Sequence, residues 1–237
     1  MRRWRFKPAK DLGLPLGRRL RSLERESGLV EVIARLGWWT AVRGYLAVAH
    51  RLSIAGRANL PQEPPFVLVS NHASHLDTLV LAAALPRCLW SRVFPIAAGE
   101  TFFETPLLAA FAAGLINALP MWRRSVGAHA LRDLRARLTG EPCSYILFPE
   151  GTRTRTGRMA PFKPGLGMIV AGTGVPVVPA YIHGAHEALP PGRRLPRPRR
   201  IILRLGPALR FEGVADDRAG WAVIARRAEA EVRGLAK

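Results

Sequence analysis

Two short segments carry the side chains best suited to chemistry. Residues 71–77 read Asn-His-Ala-Ser-His-Leu-Asp, and residues 148–153 read Phe-Pro-Glu-Gly-Thr-Arg. A histidine oriented by a carboxylate is a common general base, and an arginine in a turn can hold a phosphate through two hydrogen bonds. Together the two segments predict proton abstraction from the hydroxyl of a phosphorylated substrate.

The first segment pairs His72 with Asp77. Five positions lie about 140° apart on an ideal helix, so the two side chains would not share a helical face. They can meet if His72 lies in a loop and Ser74 is the N-cap of the following helix, because the imidazole can then fold back toward Asp77. Two alternatives stay open: Asp77 completes a capping box with Ser74, or His75 is the base.

The second segment offers Glu150, Gly151, Thr152 and Arg153. Glycine permits a sharp turn and the close approach of a ligand to the backbone. Arginine binds phosphate oxygens in pairs. The alternative is an ordinary turn at a strand end with a solvated arginine, so the role of this segment depends on what lies beside it.

Both segments follow apolar runs, at 66–70 and 144–148, that predict buried parallel strands. Further strands are predicted at 93–98, 177–182 and 201–205, and helices at 74–85, 102–113, 128–138, 166–171 and 220–235. This alternation predicts an α/β fold with a mostly parallel mixed sheet flanked by helices. Because the carboxyl ends of parallel strands meet at one edge, we expect the two segments to lie together there.

An N-terminal helical segment is predicted at 1–60, ahead of an α/β domain at 61–237. Periodicity favours a short basic helix at about 17–25 and a longer one at 29–54. The longer helix has a broad apolar surface with tryptophans beside a polar stripe, which is typical of helices that dock at a membrane surface. Packing on the domain core is the alternative, and the two are compatible. The polar stripe consists of Glu31, Arg35, Arg43 and His50.

The charge of the chain is strongly positive, with 36 lysines and arginines against 17 acidic residues. A net charge of +19 attracts anionic membranes, phosphorylated ligands and nucleic acid alike. The apolar fraction of 49% is that of a globular protein and not of a disordered chain. Cys88 and Cys143 form no disulfide or metal motif, so a reducing, cytosolic environment is expected.

A membrane-spanning helix is not expected. The basic start lacks the apolar run of a signal peptide. The best candidate for a span, the uncharged stretch 105–122, is shorter than the roughly 20 apolar residues needed and contains two prolines. It predicts a short buried or membrane-facing helix followed by a strand, so membrane contact is expected to be peripheral or monotopic, on the cytoplasmic face.

Four blocks of sequence, taken together, resemble the glycerolipid acyltransferase family. The first is Asn71, His72, Ser74 and Asp77, and the second, matched loosely, is 117–123, which ends in Arg123. The third is 148–153, and the fourth is the apolar strand 175–180. The segment Phe-Lys-Pro-Gly at 162–165 also resembles one that the family carries. The chain is most similar to the 1-acylglycerol-3-phosphate acyltransferases, over about residues 60 to 210.

The resemblance implies a direct acyl transfer that makes phosphatidic acid. It implies that His72, oriented by Asp77, deprotonates the hydroxyl of lysophosphatidic acid, which attacks the thioester of acyl-CoA or acyl-carrier protein. It implies no cofactor beyond this co-substrate and no metal. A covalent acyl-enzyme is not needed, and the sequence has no Gly-x-Ser-x-Gly elbow. The acceptor would be bound by Arg123, Glu150, Gly151, Thr152, Arg153 and Lys163.

One departure from the family concerns the acceptor. Many members carry a lysine before a glutamate ahead of the second block, where this chain has Gly99 before Glu100. Another lysophospholipid or an amphipathic alcohol is therefore the alternative acceptor, and Arg123 or Arg124 could compensate for the missing charge.

Two other classes of function fit the sequence less well. The pairs His72/His75 and His183/His186 lack the spacing of a catalytic metal site. A basic nucleic-acid-binding protein would suit the net charge and the arginine-rich run 193–210. However, the basic residues are not interleaved with aromatic residues, and the long N-terminal helix is too apolar, so no nucleic-acid partner is expected.

Overall fold

A single sheet forms the centre of the computed structural model, which describes residues 9–26, 28–122 and 128–237. The strands are β1 (Ser53–Ala55), β2 (Val67–Ser70), β3 (Val93–Ala98), β4 (Leu119–Met121), β5 (Ser144–Leu147), β6 (Val177–His183) and β7 (Ile202–Leu205). Their order is β1-β7-β6-β2-β5-β3-β4, and every neighbouring pair is parallel except β6 with β7. The prediction of a mostly parallel mixed sheet is confirmed.

Helices connect the strands and cover both faces of the sheet. They are α1 (Leu16–Arg21), α2 (Leu29–Ala49), α3 (Leu76–Ala84), α4 (Gly99–Phe102), α5 (Pro106–Ala110), a π-helical segment (Phe111–Leu115), α6 (Ala128–Gly140), α7 (Gly165–Val170), α8 (Ala185–Ala188) and α9 (Arg218–Gly234). Among the described residues, no helix is both long enough and apolar enough to cross a bilayer.

The central strand β2 is buried on both faces, as its apolar sequence predicts. Val67 and Val69 point into the core on the side of α6, α7 and α9, whereas Leu68 points into the core on the side of α2 and α3. This alternation follows from the two-residue period of a strand. The two cores fix β2 firmly, so the residues that follow Ser70 leave the sheet at a defined place.

The helix predicted at 102–113 is interrupted once, between the end of α4 at Phe102 and the start of α5 at Pro106. Pro106 cannot donate a backbone hydrogen bond, so it starts a new helix, α5, at its first position. Thr105 caps this helix by accepting a hydrogen bond from the N–H of Leu108. The chain then continues without interruption into the π-helical segment.

The long N-terminal helix ends five residues earlier than predicted. The N–H of His50 bonds to the carbonyl of Leu46 at the end of α2, and the carbonyl of His50 accepts the N–H of Ile201. The chain thereby turns into β1, which pairs with β7. The sheet therefore includes residues from the predicted N-terminal segment, while the boundary at 60/61 stays a prediction.

Helix α2 turns its arginines toward the protein together with Trp39, Val42 and Leu46, and its other apolar side chains face outward. Arg35 is buried, with Nε 3.1 Å from the carbonyl oxygen of Gly114, and Arg43 donates to the carbonyls of Ala83 and Leu85 at the end of α3. The exposed positions of α2 carry no charge, and their large apolar members are Leu29, Val30, Ile33, Leu36, Tyr45 and Val48. An ordinary surface helix carries charged and polar residues on its exposed face.

Candidate active site

The two chemical segments meet at the carboxyl ends of adjacent strands. Val69 of β2 is paired with Leu147 of β5, so the residues after both strands emerge side by side. Asn71 fixes the exit from β2, because its side-chain oxygen accepts the N–H of Ile182 at 2.8 Å and its amide donates to the Ile182 carbonyl at 3.1 Å. The structure therefore places residues 71–77 beside residues 148–153, as the strand pattern predicted.

His72 and Asp77 are in direct contact. Nδ1 of His72 lies 2.9 Å from Oδ2 of Asp77, whose side chain is fully buried. An ionised carboxylate only accepts, so Nδ1 carries the hydrogen and Nε2 is left as the nitrogen that can accept a proton. The imidazole also stacks on Phe148, with ring centroids 4.0 Å apart and planes 16° apart. The ring is therefore fixed in both tautomer and orientation.

Ser74 is not the N-cap that the sequence predicted, but Asp77 makes one half of the capping box that was left open as an alternative. Its Oδ2 accepts the backbone N–H groups of Ala73 and Ser74 at 2.7 and 2.8 Å. Ser74 lies one residue ahead of the N-cap position, which is occupied by His75, but its Oγ still accepts the N–H of Leu76. One carboxylate oxygen thus holds the loop and the imidazole at the same time.

His75 has a different environment from His72. It lines the same cavity, but its ring packs edge-on against Phe102, with centroids 5.7 Å apart. Enclosure by the protein, together with the positive charge of Arg153, lowers the pKa of His75 to about 4. A histidine that is neutral and only weakly basic at pH 7 is a poorer candidate for the base.

Glu150 joins the two segments through the backbone. The side chain is 2% exposed, its Oε1 accepts the N–H of His72 at 2.7 Å, and its Oε2 accepts the N–H of Ala160 at 2.7 Å. The N–H of Thr154 completes the junction by donating to the carbonyl of His72. Burial raises the pKa of Glu150 above its usual value. These contacts shape the turn, whereas the predicted contact of Glu150 with a substrate stays a prediction.

The cationic side of the site is formed by Arg153 and Lys163, which line a common cavity with Gly151 and Thr152. Gly151 has φ +75°, in the left-handed region that favours glycine, and a Cβ placed there would lie 2.8 Å from Nζ of Lys163. The positive φ is what requires glycine here, and Lys163 lies directly against it. Arg123, which was predicted to join this group, lies outside the described residues.

A cavity of about 770 Å³ extends from His72 into the protein. Pockets for small ligands fall in roughly the same range, 300–1,000 Å³. Beyond the polar rim its lining is apolar and includes Pro95, Ile96, Phe111, Ala112, Ile116, Ala118, Leu131, Leu147, Met168 and Ile169. The described residues contain no group of three or more His, Cys, Asp or Glu side chains placed to hold a metal ion. The cavity therefore suits a molecule with a long apolar part and an anionic end.

Gly99 is covered by an aromatic ring. A Cβ at this position would lie 2.4 Å from Cδ2 of Trp122, so neither lysine nor alanine fits unless Trp122 moves. The ring of Trp122 thus occupies the space that a larger side chain at position 99 would need. The sequence analysis assigned no role to Trp122 or to Phe148. Both positions could have been noticed, because Trp122 lies in the second block and Phe148 lies directly after β5.

Comparisons with known proteins agree with this geometry. The family model described as Acyltransferase matches residues 51–183. The chain is 30% identical over 169 residues to 1-acyl-sn-glycerol-3-phosphate acyltransferase alpha of Mus musculus, covering 70% of this chain and 58% of the relative. It is 32% identical over 164 residues to the chloroplastic 1-acyl-sn-glycerol-3-phosphate acyltransferase BAT2 of Brassica napus, covering 68% and 44%. The chain thus spans about half the length of these relatives.

A solved structure has the same fold. It is the 1-acyl-sn-glycerophosphate (LPA) acyltransferase PlsC from Thermotoga maritima, with a TM-score of 0.67, 24% sequence identity, and coverage of 86% of this chain and 79% of that one. The family model includes β1 to β6 and both chemical segments. The chain belongs to the acyltransferase family.

Proposed function

We propose that this protein transfers a fatty acyl group from a thioester to the hydroxyl of lysophosphatidic acid, giving phosphatidic acid. One observation carries the proposal: the oriented imidazole of His72 stands where a cationic rim meets a large apolar cavity. An acyl thioester has a long apolar chain, and lysophosphatidic acid has a phosphate near a hydroxyl. The apolar cavity therefore matches the acyl chain, and the cationic rim matches the phosphate, on either side of His72.

The proposed reaction is a direct displacement. Nε2 of His72 removes the proton of the acceptor hydroxyl as its oxygen attacks the thioester carbonyl, and the buried carboxylate of Asp77 stabilises the imidazolium that forms. When the tetrahedral intermediate collapses, the C–S bond breaks and the proton passes to the departing thiolate. The products are the ester and a free thiol, and no acyl group is attached to the protein.

The proposed substrates are held at opposite ends of the site. Arg153 and Lys163 bind the acceptor phosphate, and the apolar lining takes the acyl chain. Gly151 and Thr152 supply the turn that brings these cations together, and Glu150 holds that turn against His72. The donor is acyl-CoA or acyl-carrier protein, and no cofactor is proposed.

An assay with several reactants tests the proposal. The full chain is incubated with a series of acyl-CoA and acyl-carrier-protein thioesters and with labelled lysophosphatidate, another labelled lysophospholipid or a labelled amphipathic alcohol in turn, and labelled ester is measured. We expect phosphatidate and one free thiol for each ester formed. Ester formed only on another lysophospholipid or an amphipathic alcohol would mean that this molecule, and not lysophosphatidate, is the acceptor. No ester with any combination of thioester and acceptor would overturn the proposal.

Arg153→Ala is expected to raise the KM for lysophosphatidate by about 10- to 100-fold. A hydrogen bond to a charged group contributes roughly 1.5–3 kcal/mol. The matched control is Arg155→Ala, since Arg155 is exposed and is not part of the cavity lining. Steady-state kinetics with each substrate varied in turn would check this. An increase confined to the KM of the thioester would contradict the phosphate-binding role.

The proposed place of work is the surface of an anionic membrane. Besides the uncharged outer face of α2, exposed apolar side chains lie at Leu107 and Leu108 of α5 and at Leu16 of α1, which packs against α5. Large apolar patches on a protein surface mark binding sites, and the net charge of +19 favours anionic lipid. The predicted N-terminal membrane-docking segment is therefore retained as part of the proposal, with peripheral or monotopic attachment on the cytoplasmic face.

Charges placed on the outer face of α2 are expected to weaken vesicle binding. The double variant Val30→Glu/Ile33→Glu should lower the affinity for phosphatidylglycerol vesicles at least about tenfold, because each apolar side chain contributes roughly 1.5–3 kcal/mol when buried. Val223→Glu on α9 is the control, since it also replaces an exposed apolar residue. Equal sedimentation of all three proteins with vesicles would contradict the assignment, and salt-sensitive binding to DNA without vesicle binding would favour a nucleic-acid partner.

A further inference from the structure

One wall of the cavity is held by two buried arginines from the N-terminal helical region. This wall segment comprises residues 111–118, the π-helical segment and the three residues after it. Four of its side chains face the cavity: Phe111, Ala112, Ile116 and Ala118. π-Helical turns are often found at functional sites because they displace a helix locally. The position of this segment therefore decides the shape of the apolar part of the cavity.

Arg35 of α2 binds the end of the π-helical segment. Its Nε donates to the carbonyl of Gly114 at 3.1 Å, and its Nη2 lies 3.5 Å from the carbonyl of Ala113. Carbonyls in the last turn of a helix lack helical donors and carry the negative end of the helix dipole, so a cation is favoured there. Arg35 is 1% exposed, and burial lowers its pKa to about 10, so it remains charged at neutral pH.

Arg25 binds the exit of the wall segment. Both Nη1 and Nη2 donate to the carbonyl of Ala118 at 3.1 Å, and Nη2 also donates to Oδ1 of Asn117 at 3.3 Å. Asn117 has φ +63°, and its amide donates to the carbonyl of Val93 at the start of β3. Burial first, and then the charge of Arg35, lower the pKa of Arg25 to about 10. The exit of the wall is thus fixed to both the sheet and the N-terminal region.

Helix α2 supports the wall by packing as well. The ring of Trp38 meets Phe111 edge-on, with centroids 5.4 Å apart. A void of only about 10 Å³ is lined by Trp39 on one side and by Ile116 and Pro95 of the cavity on another. A void of that size barely holds one water molecule, so the wall has little room to move while α2 is in place.

We infer that Arg25 and Arg35 are positioning residues that hold this wall and thereby set which acyl chains the cavity accepts. The effect on acyl chains rests on the proposed function. The contacts of Arg25 and Arg35 with residues 113–118, here called the clamp, are a property of the fold. A lost guanidinium leaves buried carbonyls without donors and releases the wall from α2. The other face of α2 is the proposed membrane-docking face. The same helix would therefore contact the membrane and hold the cavity wall that selects the acyl chain.

The test compares Arg35→Met with Arg43→Met. Both arginines lie on α2 and bind carbonyls at a helix end, but Arg43 binds Ala83 of α3 and Leu85 just after it, and no described hydrogen bond joins Arg43 to residues 111–118. With lysophosphatidate and lauroyl-, palmitoyl- and stearoyl-CoA, the ratio of kcat/KM for the longest to the shortest chain is expected to change at least about tenfold in Arg35→Met. Such a factor is the scale on which a pocket distinguishes single methylene groups. The ratio should stay within about twofold in Arg43→Met.

Hydrogen exchange separates the clamp from the reaction. Amides of residues 111–118 are expected to exchange faster in Arg35→Met than in Arg43→Met, and Arg35→Lys, which keeps the charge, should lie between Arg35→Met and the unsubstituted protein. If the unsubstituted protein transfers no acyl chain from acyl-CoA or from acyl-carrier protein, the proposed function fails, and hydrogen exchange alone then tests whether Arg35 holds the wall. Equal exchange in the two methionine variants, or equal chain-length ratios in an active protein, would overturn the inference.

Discussion

His72→Ala is expected to lower kcat by roughly 100- to 10,000-fold, the usual contribution of a general base. The physical reason is that Nε2 of His72 is the basic atom whose orientation the structure fixes, through Asp77 at 2.9 Å and the stacked ring of Phe148. Without it, the hydroxyl of the acceptor must attack with its proton in place. The KM for either substrate should change much less, because the cationic rim and the apolar cavity keep their residues.

The matched control for this prediction is His75→Ala. His75 lines the same cavity three residues further on, yet its pKa is lowered to about 4 and it makes no hydrogen bond to Asp77 among the described contacts. Its removal should leave kcat within a few-fold of the original value. Near-normal turnover in His72→Ala combined with a large loss in His75→Ala would exchange the two roles.

The sequence predicts the site well where the decisive contacts follow from strand order. The run Val93–Ala98 forms a strand with the bounds that its apolar pattern predicts. Parallel pairing of β2 with β5 then brings His72 and the turn at Gly151 to the same edge. Local rules of this kind need only the period of a strand and the chirality of the crossovers.

Other features depend on contacts between distant residues and could not be predicted. Glu150 accepts the N–H of His72 and that of Ala160. Nearly every residue has a backbone N–H, so the sequence does not show which of them a side chain will bind. Periodicity places Glu31, Arg35 and Arg43 on one stripe of α2, but it does not say whether that stripe faces the protein or the solvent. Arg35 faces inward because the carbonyls at the end of the π-helical segment need donors there.

Asp77→Asn is expected to lower kcat by roughly 100- to 10,000-fold, while the protein stays folded. If the amide oxygen occupies the place of Oδ2, it still accepts from Ala73 and Ser74, but the charge that stabilises the imidazolium is lost and the NH₂ group replaces Oδ1, which is buried without a partner among the described residues. If the amide is flipped, it donates to Nδ1 of His72, so the hydrogen moves to Nε2 and the base is blocked.

Ser74→Ala is the matched control, because it weakens the start of α3 and leaves the contacts of Asp77 with the imidazole and with the backbone N–H groups in place. Ser74 Oγ accepts the N–H of Leu76 and donates to the carbonyl of Leu189, and neither bond touches the imidazole. Loss of this cap should lower the free energy of unfolding by about 1 kcal/mol and leave kcat within a few-fold. Measurements of kcat and of thermal unfolding on both variants decide between the two roles. If Asp77→Asn loses stability but keeps kcat, Asp77 is a cap alone, and His72 needs no partner to act.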